Sequence, residues 1–157
     1  MLEIYTVSFF GHRRIENGFW LAERLMRTIR DLLDTKEYVE FLVGRNGEFD
    51  QLVSSSIRSI KRGGRGENCS HTLVLPYETA EFRNNRQSFY EYYDEIELFP
   101  GSGKTHFKAA IQKRNREMVD RSHLIVFYLE HEYGGAYQTY QYAVEQGKPV
   151  LLLAKER

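Results

Sequence analysis

Apolar positions along the chain follow two rhythms in turn. Short runs rich in β-branched and aromatic residues occur at 3–10 (EIYTVSFF), 38–43 (YVEFLV), 71–77 (HTLVLPY), 124–129 (LIVFYL) and 150–153 (VLLL). Such runs predict buried strands, the first stopped by Gly11, the second by Gly44 and the third near Pro76. Between them the spacing changes to three and four. Leu21, Leu25, Ile29 and Leu32 share one helical face, and Phe49, Leu52, Val53, Ile57 and Ile60 share another. Phe107, Ile111 and Met118 mark a helix up to about Ser122. Tyr137, Tyr140 and Val144 mark a last one, closed by Gly147-Lys148-Pro149. Strands alternating with helices imply right-handed crossovers and a mostly parallel sheet, and near-continuous apolar strands imply that both faces of it are covered. The expected architecture is one Rossmann-like α/β domain over 1–157, a three-layer sandwich around a mostly parallel sheet. The segment from Glu78 to Gly103 breaks the pattern. It is expected to be an excursion with a short helix and a short strand at 95–98, either a lid near the site or an irregular surface connection.

Length and composition fit that picture. The chain has 157 residues, enough for one domain with a sizeable core. Lys plus Arg and Asp plus Glu both total 22, for a net charge of zero. That disfavours a duplex-DNA or anionic-membrane surface as partner, and nucleic acid is not expected. It leaves room for a small anion at one local site. Cys69 is the only cysteine, so no internal disulfide is expected. The chain enters a strand at once, and no window approaches the roughly 18 apolar residues of a membrane span. A cytoplasmic protein is the expectation.

In an open parallel sheet a ligand sits outside the carboxyl ends of the strands. The chain carries glycine at three of these ends. The first is Gly11-His12-Arg13, where the glycine lets a backbone approach a ligand and the side chains add donors for phosphate or carboxylate. The second is Gly44-Arg45-Asn46, leading into a helix whose free amides would suit an anion. The third is Glu130-His131-Glu132-Tyr133-Gly134-Gly135-Ala136, opening the last helix. Tyr128 and Tyr133 flank that turn and could stack on a base. His131 between Glu130 and Glu132 lacks the spacing of metal ligands on one face, so no metal is expected. Gly101-Ser102-Gly103-Lys104-Thr105 imitates the end of a P-loop, but Leu98 stands where the full pattern needs glycine. It is expected to be a turn leading into a helix.

These features carry a resemblance. Gly11-His12-Arg13, the stretch Arg114-Asn115 with Met118-Val119-Asp120 and Ser122, and Gly134-Gly135 before the last helix resemble the SLOG superfamily. Within it they are most similar to a small bacterial group whose first strand ends in Gly-His-Arg. The resemblance runs from about Ile4 to Leu153. It implies a Rossmann-like fold, often dimeric or larger, and a nucleotide, nucleotide-sugar or ADP-ribose type of ligand in the crevice. Relatives include Lonely Guy phosphoribohydrolases, DNA-processing proteins and nucleotide-signal sensors of bacterial defence. The implied ligand-binding set is Gly11, His12, Arg13, Gly44, Arg45, Asn46, Arg114, Asn115, Tyr128, Gly134, Gly135, Ala136 and Thr139. The hydrolases' Pro-Gly-Gly-x-Gly-Thr-x-x-Glu pattern is only partly present. Tyr133, Tyr137 and Gln141 occupy its Pro, third Gly and Glu positions, and Thr139 lies one place late. Gln141 cannot ionise and so cannot act as a general base. Arg114 does match the hydrolases' arginine, which makes it the candidate catalytic residue. The expected function is therefore binding or sensing of a nucleotide-derived ligand, with no cofactor required. The alternative is a phosphoribohydrolase that cleaves a nucleoside 5′-monophosphate.

Overall fold

The computed structural model describes residues 2–16, 18–100 and 106–154. Among these residues six strands form one sheet, every pairing parallel. The strands are β1 (Ile4–Gly11), β2 (Tyr38–Val43), β3 (Cys69–Leu75), β4 (Glu95–Leu98), β5 (Leu124–Tyr128) and β6 (Val150–Leu152), in the spatial order β4-β3-β2-β1-β5-β6. The helices are α1 (Gly18–Thr35), α2 (Glu48–Arg62), α3 (Ala80–Asn84), α4 (Arg86–Tyr92), α5 (Phe107–Arg121) and α6 (Gly135–Glu145).

The layers follow from handedness. The chain steps from β1 to β4 in one direction, then returns past β1 to β5 and β6 in the other. Right-handed crossovers taken in opposite directions put their helices on opposite faces. The pleat sends alternate residues to each layer. Val7, Phe9, Phe41, Val43, Val126 and Tyr128 pack with Leu21, Leu25 and Ile29 of α1 and Val53 and Ile57 of α2. Phe10, Leu42, Val74, Ile125 and Phe127 pack with Met118 and Val119 of α5 and Ala143 of α6. Both faces are buried, which is why the strands read as continuous apolar runs.

Two expectations change. β3 begins at Cys69, two residues earlier than its apolar run, and ends at Leu75, because Pro76 has no amide with which to continue the ladder. The described part of the excursion, 78–100, is not a lid over the β1–β5 edge. Its helices α3 and α4 bury Phe82 and Phe89, and Tyr93 follows them into the α1–α2 layer. β4 then closes the edge of the sheet beside β3. The P-loop-like stretch 101–105 lies outside the described residues.

Candidate functional site

β1 and β5 are neighbours, yet the chain leaves β1 for β2 on its other side. Their carboxyl ends, Gly11 and Tyr128, pair directly. The loops that leave them must diverge, and an opening results. A cleft of about 710 Å³ occupies that place. The β1–α1 loop (Gly11 to Arg14 and Glu16), the β2–α2 turn (Gly44, Asn46 and Asp50), one face of α5 (Lys108, Ile111, Arg114 and Asn115) and the β5–α6 turn (Glu130, His131, Tyr133 to Ala136) line it. Its charge is nearly balanced, with four Arg or Lys side chains against three carboxylates. Any preference for an anion must therefore come from where the groups stand.

Arg114 is the central group. It is 2% exposed, and it is the largest fully buried side chain of the described residues. Its Nη1 donates to the Val74 carbonyl at 2.7 Å and its Nε to Asn115 Oδ1 at 2.9 Å. Nη2 makes no hydrogen bond among the described residues, and the residue lines the cleft. Burial lowers the guanidinium pKa to about 10, against the pull of Asp50. The group stays charged at neutral pH. A buried cation with an open donor is costly to leave without an acceptor.

The arginine is tied to the start of α6. Asn115 Nδ2 donates to Thr139 Oγ1 at 3.1 Å, and the Thr139 hydroxyl donates to the Gly135 carbonyl at 2.9 Å. That start is bare. Gly134 precedes it with φ 92° and ψ 177°, no side chain caps it, and its first turn holds no carboxylate. The first intrahelical bond of the turn runs from the Gln138 amide to the Gly134 carbonyl. The amides of Gly135, Ala136 and Tyr137 precede it, in the position of helical orphan donors. Such an end attracts anions through those donors and through the helix dipole.

The second turn differs from expectation. The Asn46 amide donates to Asp50 Oδ2 at 2.8 Å, and the Glu48 amide donates to the Arg13 carbonyl at 2.8 Å. Glu48 Oε2 in turn accepts from the Ile15 amide. At the α2 start the Glu48 amide is thus taken by the Arg13 carbonyl, and the first turn holds the carboxylates of Glu48 and Asp50. Gly11 has a packing role as well as a place in the lining, since the Phe49 ring passes 2.4 Å from where its Cβ would stand.

The other expected residues are dispersed. His12 lines the cleft, accepts at Nε2 from the Glu130 amide at 2.8 Å and stacks on His131 at 3.7 Å. Burial and the neighbouring His131 lower its pKa. His131 stacks in turn on the exposed Tyr133 at 3.7 Å, so three rings lie in series along the rim. Tyr128 is buried, faces the α1–α2 layer, stacks on Phe49 at 5.7 Å and bonds Glu130 through its hydroxyl. The pleat decides this, because Tyr128 shares its parity with Val126. Arg45 turns away to Glu81 and Tyr93, over the Phe89 ring, in a separate cleft of about 830 Å³ beside α4. Thr139 is buried and holds the turn without lining the cleft. Gln141 is exposed on α6, also outside the lining. Asp50, Arg14, Lys108 and His131 line the cleft but were absent from the expected ligand set. Their only signal was proximity to the glycine turns and to Arg114.

Fold and cleft together define a Rossmann-like α/β domain with an opening at its topological switch point. Solved structures with the same fold include DNA processing protein A from Helicobacter pylori, described for its single-stranded DNA binding mode. It matches at TM-score 0.69 and 15% identity over 97% of this chain and 66% of that one. DNA processing protein A from Streptococcus pneumoniae matches at TM-score 0.65 and 15% identity over 98% of this chain and 51% of that one. The chain therefore spans about two thirds and one half of these two proteins. The likeness is one of fold, and it agrees with the SLOG resemblance, whose members include DNA-processing proteins. No protein-family model and no curated protein matches the sequence. Among the described residues no helix is long and apolar enough to cross a membrane.

Proposed function

We propose that the protein binds a phosphate-bearing, nucleotide-derived ligand in the switch-point cleft. The observation that carries this reading is the buried Arg114, which lines the same cleft as the uncapped start of α6 and whose Nη2 makes no hydrogen bond among the described residues. A phosphate offers several acceptor oxygens and can take both a guanidinium donor and backbone amides. The exposed Tyr133 ring, backed by His131 and His12, offers a base a stacking surface. A thermal-shift screen of mononucleotides, dinucleotides, cyclic nucleotides and ADP-ribose derivatives tests the reading. At about 100 times the dissociation constant a true ligand adds about 2.7 kcal/mol, which is several degrees for a domain of this size. No shift from any of them would remove the proposal.

A second reading is single-stranded nucleic acid, favoured by the fold shared with a protein described for binding single-stranded DNA. The neutral net charge argues against a duplex-binding surface. It carries less weight against a single strand held by a few local contacts, so the sequence-based case against nucleic acid loses its basis. Fluorescence anisotropy with a labelled deoxythymidine oligomer separates the readings. Saturable, salt-sensitive binding that a mononucleotide does not displace supports the strand. The phosphoribohydrolase alternative finds no carboxylate at Gln141, which stands outside the cleft lining.

A further inference from the structure

Asn46 lines the cleft in the turn between β2 and α2, and Gly47 follows it. Asn46 is exposed, and its side-chain amide makes no hydrogen bond among the described residues. The backbone N–H of Gly47 makes none there either. Packing requires glycine at this place. Its φ of 178° would suit any residue, but a Cβ would stand 2.5 Å from Arg13 Cα. A backbone without a Cβ also leaves its nitrogen open to the side chain before it. The other described asparagines differ. Asn68 Nδ2 donates to the Leu33 and Lys36 carbonyls, Asn85 Nδ2 to the Glu81 carbonyl and Asn115 Nδ2 to Thr139. Cys69, Arg86 and Arg116 follow them, and Asn85 follows the exposed Asn84, so each following nitrogen stands beside a Cβ.

We infer that Asn46-Gly47 is a self-modification site, at which Asn46 converts to aspartate and isoaspartate and so acidifies the rim of the cleft. The co-reactant is water. The Gly47 nitrogen gives its proton to hydroxide and bonds Asn46 Cγ. The bond from Cγ to Nδ2 breaks, and that nitrogen takes a proton from water and leaves as ammonia. A five-membered imide results. Water then opens the imide at one of its two carbonyls. Opening at Cγ restores the backbone and leaves an aspartate side chain, and opening at the main-chain carbonyl routes the chain through Cγ as isoaspartate. No group is oxidised or reduced, and either product adds one negative charge. The lining then carries four carboxylates against its four Arg or Lys side chains, in place of three. The new charge belongs to the residue whose backbone amide already donates to Asp50 Oδ2. An anion entering the cleft meets that added repulsion. This consequence rests on the proposed anion site, and the conversion itself does not.

Peptide mapping by mass spectrometry tests the conversion on the intact folded chain, stored in mildly alkaline buffer beside a guanidinium-unfolded sample. Tryptic peptide 46–58 of the folded chain should gain about one dalton, at a rate within about threefold of the unfolded sample. Peptides carrying Asn68, Asn84, Asn85 and Asn115 should stay unchanged in the folded chain over the same time. Peptide 15–24 holds the second Asn-Gly pair of the sequence, at 17–18, so the two are read separately. A protein isoaspartyl methyltransferase should label peptide 46–58 of the stored parent and leave it unlabelled in Asn46→Gln, whose ring would need six members. A folded chain whose peptide 46–58 stays intact after the unfolded sample has converted would overturn the inference. The effect on the cleft is read by calorimetric titration with inorganic phosphate, which should bind Asn46→Asp at least threefold more weakly than the parent. Equal affinity would overturn the acidified rim. If phosphate binds neither chain, the anion site is refuted, and the peptide masses still decide the conversion.

Discussion

Single residues decide what the cleft can hold. Arg114→Lys keeps the charge but cannot bond Val74 and Asn115 with the same planar fork. We expect ligand affinity to fall at least tenfold and stability to fall by about 1–3 kcal/mol, read by calorimetry and urea denaturation. The adjacent glycines should separate binding from strain. Gly135 is not in the left-handed region, and a Cβ there meets only the end of the Gln112 side chain, at 3.3 Å. Gly135→Asp should therefore melt within roughly 0.5 kcal/mol of the parent and still lose the ligand, because its carboxylate answers the α6 amides. Parental affinity in a well-folded Gly135→Asp would place the ligand elsewhere. Gly134, at φ 92° and ψ 177°, has open space around it, so Gly134→Ala should cost about 1–3 kcal/mol through backbone strain alone. His71 sets a pH response away from the cleft. It bonds Ser54 at 2.9 Å, and burial lowers its pKa from 6.5 to about 4 despite the opposing pull of Asp94. The folded state thus binds the proton less well than the unfolded state. Its stability contribution is complete above pH 6.5 and is lost as the pH falls toward about 4, by roughly 3 kcal/mol in total. Urea melts of the parent and His71→Gln across that window should show the variant with the shallower decline.

At the scale of elements, the site depends on how α5 and α6 are joined. The path from Arg114 through Asn115 and Thr139 ends on the carbonyl of Gly135, the first residue of α6. Helix propensity has little part in this. Gly134 and Gly135 begin the helix without a cap, and its first turn is held by the Thr139 hydroxyl within the helix and, through it, by Asn115 of α5. Thr139→Val removes the hydroxyl with little change of shape and leaves the buried Asn115 Nδ2 without its acceptor. We expect a loss of about 1–3 kcal/mol in urea denaturation. A ligand affinity lowered several-fold should accompany it, since the amides of the turn lose their tether. Unchanged affinity at reduced stability would show that the ligand does not use this turn. The α2 start behaves differently because Asp50 and Glu48 engage its surroundings. Two glycine-led helix starts that look alike in sequence therefore differ in the charge of their first turns.

For the whole molecule, the return of the chain past β1 opens the cleft, and the proposed binding role there sets an expectation about hydrolysis. Incubation with nucleoside monophosphates should release no free base by chromatography beyond a blank. Multiple turnover lost in Arg114→Ala would establish the phosphoribohydrolase instead.

The order of strands and helices, the parallel sheet and its two covered faces were legible in the sequence, because burial imprints periods of 2 and 3.6 on the residues themselves. Glycine at the strand ends marked the edge of the sheet at which the cleft opens. The fates of individual side chains were not legible. Tyr128 and Tyr133 both flank the last turn, yet the pleat buries the first against Phe49 and leaves the second exposed on the rim. Arg45 and Arg114 read alike as cations near a turn. Arg45 goes to Glu81 and Tyr93, which the excursion brings to it across more than thirty residues, and Arg114 is buried with one edge facing the cleft. Asp50 carried only its nearness to the second glycine turn, because the approach of Arg114 to the same Gly44 joins segments far apart in the chain. Local pattern determines which elements form and which faces they bury. Which polar groups converge on one point depends on the crossovers that bring distant loops together, and only the tertiary structure decides that.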